Sequence, residues 1–287
     1  MRFALIDNLK VEASKGVRGF CQSCGAEVIA KCGEFKINHW AHKKKKDCDS
    51  WWETETEWHR NWKDNFPIDW QEIIQYDSIT NEKHIADIKT DSGLVIEFQH
   101  SHIKPDERRS REAFYKNMIW VVDGTRLKRD FPRFFKEFWT DDGICDVHET
   151  KNKDIYTVSF PEWCFPKNWV ESTVPVVFDF FGDGSSQILE NLEHINYEIE
   201  LSELRALRKP LYCLFPNNYF AVISRSSFFE ACSNGTWTKR VQDFLIKKAQ
   251  ERKIQEEKNR LEYLRMQAYY AKRRIMRRNS RKRRRRF

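Results

Sequence analysis

Residues 84–99 have the sequence HIADIKTDSGLVIEFQ, and this stretch decides the fold that the chain is predicted to adopt. Apolar and polar residues alternate along both halves, with the period of a strand that has one buried face. Between the halves, Asp91-Ser92-Gly93 is typical of a three-residue turn, because glycine accepts the left-handed conformation that such a turn needs. The stretch predicts a β-hairpin with Ala86, Ile88, Ile96 and Phe98 on one face and Asp87, Glu97 and Gln99 on the other.

The length of the turn also predicts which residues face each other across the hairpin. With a three-residue loop, Asp87 faces Glu97 and Ile88 faces Ile96. Opposed residues lie about 4.5–5.5 Å apart at Cβ, and two like charges at that distance destabilise a sheet. A divalent cation would remove the repulsion, since Mg²⁺ prefers carboxylate oxygens. We predict a Mg²⁺ or Mn²⁺ site here; the alternative is that both acids face solvent on a half-buried sheet.

Near the N-terminus, cysteines and histidines predict a structural zinc site. Cys21 and Cys24 form a CxxC pair, and an HxxH pair, His39 and His42, follows after fourteen residues. Two thiolates and two imidazoles at such spacing can bind zinc tetrahedrally, and zinc would stabilise a module too small to fold on its own core. Alternatively, the thiols are only small buried side chains. The other candidate ligands are Cys48 and Cys32.

Charge is distributed unevenly along the 287 residues. The net charge is +8, but eleven Lys and Arg residues fall within 271–287, and subtracting them leaves about −3 for residues 1–270. The basic end therefore predicts a contact with the phosphates of DNA. The alternatives are a solvated run of charge and a ribosomal or nuclear-import-like signal. The residues assigned to this contact are Lys272, Arg273, Arg274, Arg277, Arg278, Arg281, Lys282 and Arg283.

Composition also predicts the compartment. The chain has 8 cysteines, no apolar run long enough to cross a membrane, and an acidic residue too early for a secretory signal. We expect a cytoplasmic, nucleoid-associated protein with reduced thiols and no contact with a membrane.

Four segments follow from these patterns. They are a zinc-finger-like module (1–50), an α-β-β-α-β core (51–140), a mixed α/β region of unassigned role (141–236), and a long charged helix with an Arg-rich tail (237–287). Further predicted elements are a buried strand at Met118–Val122, strands at Ile155–Phe160 and Val174–Phe180, and a helix at Ser186–Leu207.

A helix precedes the hairpin and is rich in tryptophan and acidic residues. We predict that Glu57 or His59 projects from it toward Asp87, where either could complete a metal shell or orient the attacking water. The alternative is that the acids of this helix only complement its dipole.

The CxxC and HxxH pairs are followed by Glu57-Trp58-His59 with Lys63, by Asp87, by Glu97-Phe98-Gln99 and by Ile119–Asp123. Over about residues 1–125, this series resembles the PD-(D/E)xK nucleases and, among them, the CoiA-like competence proteins. The resemblance implies a restriction-endonuclease-like α/β fold, Mg²⁺ at the two acids, and hydrolysis of DNA during recombination of incoming DNA. Defence against foreign DNA is an alternative role, since the same chemistry serves both.

One position departs from the superfamily pattern. Gln99 replaces the lysine that usually lies two residues after the glutamate, and a neutral amide can orient water but supplies no cation. Lys89 is a possible substitute. The predicted catalytic residues are Asp87, Glu97 and Gln99, assisted by Glu57 or His59.

Two other functions are compatible with the sequence. The first is a catalytically weak DNA-binding adaptor that assists a recombination or defence protein, which the missing lysine favours. The second is a nuclease built around a histidine-bound metal at His39, His42 and His59, but the single CxxC pair and the lack of a ββα motif argue against it.

Overall fold

The computed structural model describes residues 1–44, 48–51, 53–77, 81–139, 145, 147–149, 155–181 and 210–284. Two compact units divide the chain, Met1–Thr236 and Trp237–Phe287. Of the boundaries predicted near residues 50, 140 and 236, only the last therefore coincides with a division between compact units. The predicted helix Ser186–Leu207 lies outside the described residues.

A five-stranded antiparallel sheet forms the N-terminal part of the first unit, in the order β2-β1-β3-β4-β5. Its small core includes Met1, Ala4, Val28 and Trp40. The strands are β1 (Phe3–Ile6), β2 (Leu9–Glu12), β3 (Arg18–Phe20), β4 (Glu27–Lys31) and β5 (His39–His42).

A nine-stranded mixed sheet forms the rest of this unit, in the order β10-β11-β14-β13-β12-β9-β8-β7-β6. Strand β9 is parallel to both of its neighbours, β8 and β12, while the other paired strands are antiparallel. The strands are β6 (Gln71–Tyr76), β7 (Lys83–Lys89), β8 (Val95–Gln99), β9 (Met118–Asp123), β10 (Val147–Glu149), β11 (Ile155–Val158), β12 (Val176–Asp179), β13 (Leu211–Phe215) and β14 (Tyr219–Ile223).

The helices described in the first unit are α1 (Glu57–Lys63), α2 (Pro105–Tyr115), α3 (Asp130–Trp139), α4 (Pro161–Cys164), α5 (Lys167–Val170) and α6 (Arg225–Ser233), with a 3₁₀ turn at Ile68–Trp70. Helix α7 (Thr236–Arg284) continues into the second unit, and its described side chains within 251–276 are exposed. Among the described residues, no helix combines the length and apolarity needed to cross a membrane.

Two features of the large sheet differ from the sequence-based expectation. The core has one strand more than the predicted α-β-β-α-β order. The additional strand is β6, which pairs with β7, and the sequence did not predict it because QEIIQY does not alternate. The strands predicted in segment 141–236 form as β11 and β12, but they continue the sheet of the core, since β12 lies beside β9. Segments 51–140 and 141–236 thus share one sheet.

The hairpin itself is confirmed with the predicted register. Ile88 pairs with Ile96, the Thr90 N–H donates to Leu94 O at 2.9 Å, and Gly93 has a φ of 78°. All five residues of strand β8 are buried: β7 and β9 pair with its two edges, and α1 contacts it. The face that could have been solvent-exposed is instead interior.

Helix α1 begins after an N-cap that involves a histidine. The Thr56 hydroxyl accepts the His59 N–H at 3.4 Å, and His59 Nδ1 accepts the Thr56 N–H at 3.2 Å. With Nδ1 as acceptor, the ring donates from Nε2 to Phe98 O, 3.2 Å away. The cap therefore also connects α1 to β8.

A buried carboxylate holds the other side of α1. Asp179 Oδ2 accepts the indole N–H groups of Trp58 and Trp62 at 3.1 and 3.0 Å, and Oδ1 pairs with Arg225.

We expect Asp179→Ala to lower the free energy of unfolding by about 3–5 kcal/mol, because it leaves a charge and two donors without this acceptor. In urea unfolding, the exposed Asp106→Ala control should change it by less than about 1 kcal/mol. If the free energy of unfolding fell no further in Asp179→Ala than in the Asp106→Ala control, this role of Asp179 would be contradicted.

Candidate functional site

Three thiols and one imidazole converge where the N-terminal sheet meets the following loop. The ligand atoms of Cys21, Cys24, His42 and Cys48 all lie within 4.8 Å of one another. Cys21 and Cys48 Sγ are 3.7 Å apart, and Cys24 Sγ is 3.3 Å from His42 Nε2. Sulfur atoms about 2.3 Å from a tetrahedral zinc are about 3.8 Å apart, so this cluster has the donor set and size for zinc.

The cluster corrects one predicted ligand. His39 and His42 lie on β5, where residues three apart point to opposite faces, so only one of them can join the cluster. His39 Nδ1 instead lies 2.9 Å from Ile37 O. Cys48 takes the fourth position, while the thiol of Cys32 contacts Ala13 O.

The metal-free Cys48 thiol has a high affinity for protons. Burial, followed by the neighbouring thiols of Cys21 and Cys24, raises the pKa of Cys48 to about 12. A zinc ion binds thiolates and so would displace these protons, which makes metal binding and folding of the module interdependent.

We expect the purified protein to contain about one zinc ion per chain and Cys24→Ser to lose it. Because zinc binding contributes directly to folding in small modules, the variant should also lose several kcal/mol of stability. Metal analysis and thermal unfolding test this, with Cys32→Ser as the control that keeps both zinc and stability. Unchanged stability after chelation would contradict a structural role.

The second candidate site is a pair of carboxylates at the end of the β7–β8 hairpin. The Asp87 N–H donates to Glu97 Oε1 at 3.1 Å, and the Phe98 N–H donates to Asp87 Oδ2 at 3.0 Å. Glu97 is 3% exposed, and the Asp87 side chain is 23% exposed. Both line a cavity of about 340 Å³. The two acids therefore converge as the sequence predicts, beside a space that a ligand could occupy.

A lysine from α1 completes this arrangement. Lys63 Nζ lies 2.8 Å from Asp87 Oδ1, 3.2 Å from Glu55 Oε1 and 3.7 Å from Glu72 Oε1, and its side chain is 5% exposed. On the other side, Arg111 Nη1 lies 3.1 Å from Glu97 Oε2. We call these residues, with the two acids, the acidic pocket. The part of the pocket that the sequence did not predict consists of Glu55, Lys63, Glu72 and Arg111.

Burial and neighbouring charges give these groups unusual proton affinities. Burial, then the charge of Asp87, raises the pKa of Glu97 to about 8. Burial alone would raise the pKa of Asp87 as well, but Lys63, together with the Phe98 N–H and the other neighbouring groups, outweighs burial and holds that pKa below its usual range. Burial opposes the charge of Lys63, yet the carboxylates around it, with Asp87 first, hold its pKa above its usual range. The pocket thus keeps the Lys63 cation next to an ionised Asp87, while Glu97 is readily protonated.

Three side chains predicted to act here have other surroundings. Gln99 Nε2 donates to Glu53 Oε2 at 2.6 Å, and this side chain lines a neighbouring cavity of about 400 Å³. Glu57 is exposed at the start of α1 and lines a different cavity. Lys89 Nζ lies 2.6 Å from Gln75 Oε1, so the contact with Asp87 is made by Lys63 instead.

His59 does line the pocket, and burial lowers its pKa, which favours the neutral ring of the α1 cap. In the second unit, Lys272, Arg273 and Arg274 are exposed on α7. The other predicted DNA-contacting residues belong to the same helix, but their side chains lie outside the described residues: Arg277, Arg278, Arg281, Lys282 and Arg283.

Comparisons with known proteins give matches to a domain family and to a bacterial relative. Residues 7–50 match the family model for the N-terminal domain of competence protein CoiA. The competence protein CoiA of Bacillus subtilis (strain 168) is 30% identical over 147 residues, a match that covers 47% of this chain and 39% of the relative. No solved structure matches. These matches confirm the resemblance to CoiA-like competence proteins, and the matched part covers less than half of either chain.

Proposed function

We propose that this CoiA-like chain is a divalent-metal-dependent nuclease that hydrolyses phosphodiester bonds in DNA, with a restriction-endonuclease-like core. The observation that carries the proposal is the convergence of Asp87, Glu97 and Lys63 at one cavity. Because the relative is named a competence protein, we propose incoming DNA as the substrate, with foreign DNA in defence as the alternative.

The pocket fits a magnesium or manganese ion by the chemistry of its donors. Asp87 and Glu97 offer hard oxygen ligands. Burial and the charge of Asp87 raise the pKa of Glu97 to about 8, so a cation bound between the two acids would favour the ionised form of Glu97. These two residues would hold the ion. When bound, it would lower the pKa of a water molecule and stabilise charge on the phosphate.

The protein's own residues have separable tasks in this proposal. Lys63 supplies the positive charge that Gln99 cannot, and it keeps Asp87 ionised. Arg111 holds Glu97 in place from the opposite side. Glu53 holds the Gln99 amide at the end of β8. There the amide lines the neighbouring cavity and does not reach the acidic pocket.

A cleavage assay tests the function directly. Purified protein is incubated with linear, circular, single-stranded and branched DNA in Mg²⁺ or Mn²⁺, and parallel reactions contain a chelator. Cleavage that requires the metal is expected. A lack of cleavage of every substrate, at all metal concentrations at which the protein stays folded, would reject the nuclease.

A specific observation favours a second function, the DNA-binding adaptor. Asp87 and Glu97 already have ion-pair partners in Lys63 and Arg111, and such pairs can stabilise a fold without catalysis. In that case the protein would bind DNA and a recombination or defence protein but not cleave. The same assay separates the two functions.

In both proposed functions, DNA binds to the basic helix α7. If residues 271–287 contact about six to eight phosphates, the logarithm of the DNA affinity should fall with that of salt concentration, with a slope of about −5 to −7. Deletion of 271–287 should make this slope much shallower, as measured by fluorescence anisotropy with labelled duplex. A slope unchanged by the deletion would exclude the tail from the contact.

A further inference from the structure

We propose that the zinc site sets the geometry of the acidic pocket through residues 48–51 and Glu53, which we call the bridge segment. This segment begins at Cys48, a ligand of the Cys3His cluster. It ends at Glu53, which accepts a hydrogen bond from Gln99 on the strand that carries Glu97. The effect of this coupling on catalysis rests on the proposed nuclease function. The coupling of the zinc site to the acidic pocket does not rest on it.

The first contact lies one residue after the zinc ligand Cys48. Asp49 Oδ2 accepts the Ile85 N–H at 2.8 Å, and Asp49 Oδ1 lies 2.9 Å from His84 Nδ1. Asp49 is buried, with 9% exposure. His84 and Ile85 lie three and two residues before Asp87 on β7, so the hydrogen bonds of Asp49 link the residue next to Cys48 to the strand that carries Asp87.

A second contact joins the bridge segment to Glu97. Trp51 O accepts the Arg111 Nη2 hydrogen at 2.7 Å, and the same guanidinium reaches Glu97 Oε2 through Nη1. The indole of Trp51 stacks on His84, with ring centroids 3.2 Å apart and an angle of 9° between the planes. A shift of Trp51 would therefore move the guanidinium that holds Glu97.

Glu53 makes the third contact, at the far end of β8. Its Oε1 accepts the Ser101 N–H at 2.7 Å, and its Oε2 accepts the Gln99 Nε2 hydrogen at 2.6 Å. The bridge segment thus contacts both strands that carry the two acids. Without zinc, Cys48 would keep its thiol contact and its packing against the small N-terminal core but would lose the metal bond that fixes its position, so these three anchors would be held less rigidly.

Hydrogen exchange of the amides in residues 84–99 tests the coupling without using catalysis. The Asp87 and Phe98 N–H groups bond to the two carboxylates, so they report on the pocket itself. We expect Cys48→Ser to lose zinc and to exchange these amides about tenfold faster or more. Asp49→Ala, in zinc-supplemented buffer with its zinc content measured, should reproduce the acceleration with zinc bound.

A matched control is Glu27→Ala, which removes a partly exposed carboxylate of the N-terminal sheet that pairs with Arg18 and Lys43. It should leave exchange in residues 84–99 unchanged. Unchanged exchange in zinc-bound Asp49→Ala would overturn the coupling. The outcome is independent of the cleavage assay: a protein that cuts no DNA but shows accelerated exchange refutes the nuclease and keeps the coupling.

Discussion

Asp87→Asn and Glu97→Gln should each reduce metal-dependent DNA cleavage by about 10³-fold or more. Each substitution removes a negative oxygen that would hold the cation but keeps the size of the side chain. The loss of several kcal/mol of transition-state stabilisation corresponds to that factor. Initial rates on the best substrate of the cleavage assay measure the effect, and DNA affinity measured without metal should change little.

The raised pKa of Glu97 also predicts how the stability of the protein depends on pH, which melting of wild type and Glu97→Gln can test. A carboxyl whose pKa lies at about 8 in the folded protein and at 4.5 in the unfolded chain binds more protons when folded between these values. Its contribution to stability is therefore present below about pH 4.5 and is lost as pH rises through about 8. Metal-free wild type should melt at a lower temperature at pH 9 than at pH 6, and Glu97→Gln should show a smaller decrease.

Glu57→Gln is the matched control for both carboxylates. This acid lies on α1 and belonged to the catalytic set predicted from sequence, but it is exposed and lines another cavity. We expect near wild-type cleavage. A Glu97→Gln enzyme that cuts as fast as wild type would refute the assignment of the pocket, and so would a Glu57→Gln enzyme that loses as much as the Asp87 variant.

The hairpin could be predicted because its information is local. Alternation over residues 84–99 and a glycine in the turn determine which side chains share a face, and this places Asp87 beside Glu97. Strand β6 could not be found in this way. It is an edge strand with the non-alternating sequence QEIIQY, so its identity depends on pairing with β7.

The parts of both sites that were missed depend on contacts between distant segments. The choice between His39 and Cys48 required knowing that the HxxH pair lies on a strand. Lys63 lies 24 positions before Asp87, and only the docking of α1 on β8 brings them together. The spacing of Lys63 four residues after His59 on the helix was the available signal, since such residues share a face.

Lys63→Gln is expected to lower cleavage by about 10²–10³-fold, the usual loss when a preorganised charge that stabilises a transition state is removed. Lys63 Nζ is the cation 2.8 Å from Asp87, and its raised pKa keeps it charged throughout the working pH range. The control is Lys89→Gln, whose lysine contacts Gln75 and should be dispensable for cleavage.

A purely structural lysine would also reduce activity when removed, because three buried carboxylates would lose their shared cation and stability would fall by several kcal/mol. The pH profile distinguishes the two roles. Lys63 lowers the pKa of Asp87, so its removal should move the acid limb of the cleavage profile to higher pH, measured well below the melting temperature. If Lys63→Gln lowers activity but the acid limb of its pH profile does not move, Lys63 is only a structural partner. If Lys63→Gln cleaves rapidly and Gln99→Ala is inactive, the essential residue is Gln99 on β8 and not Lys63.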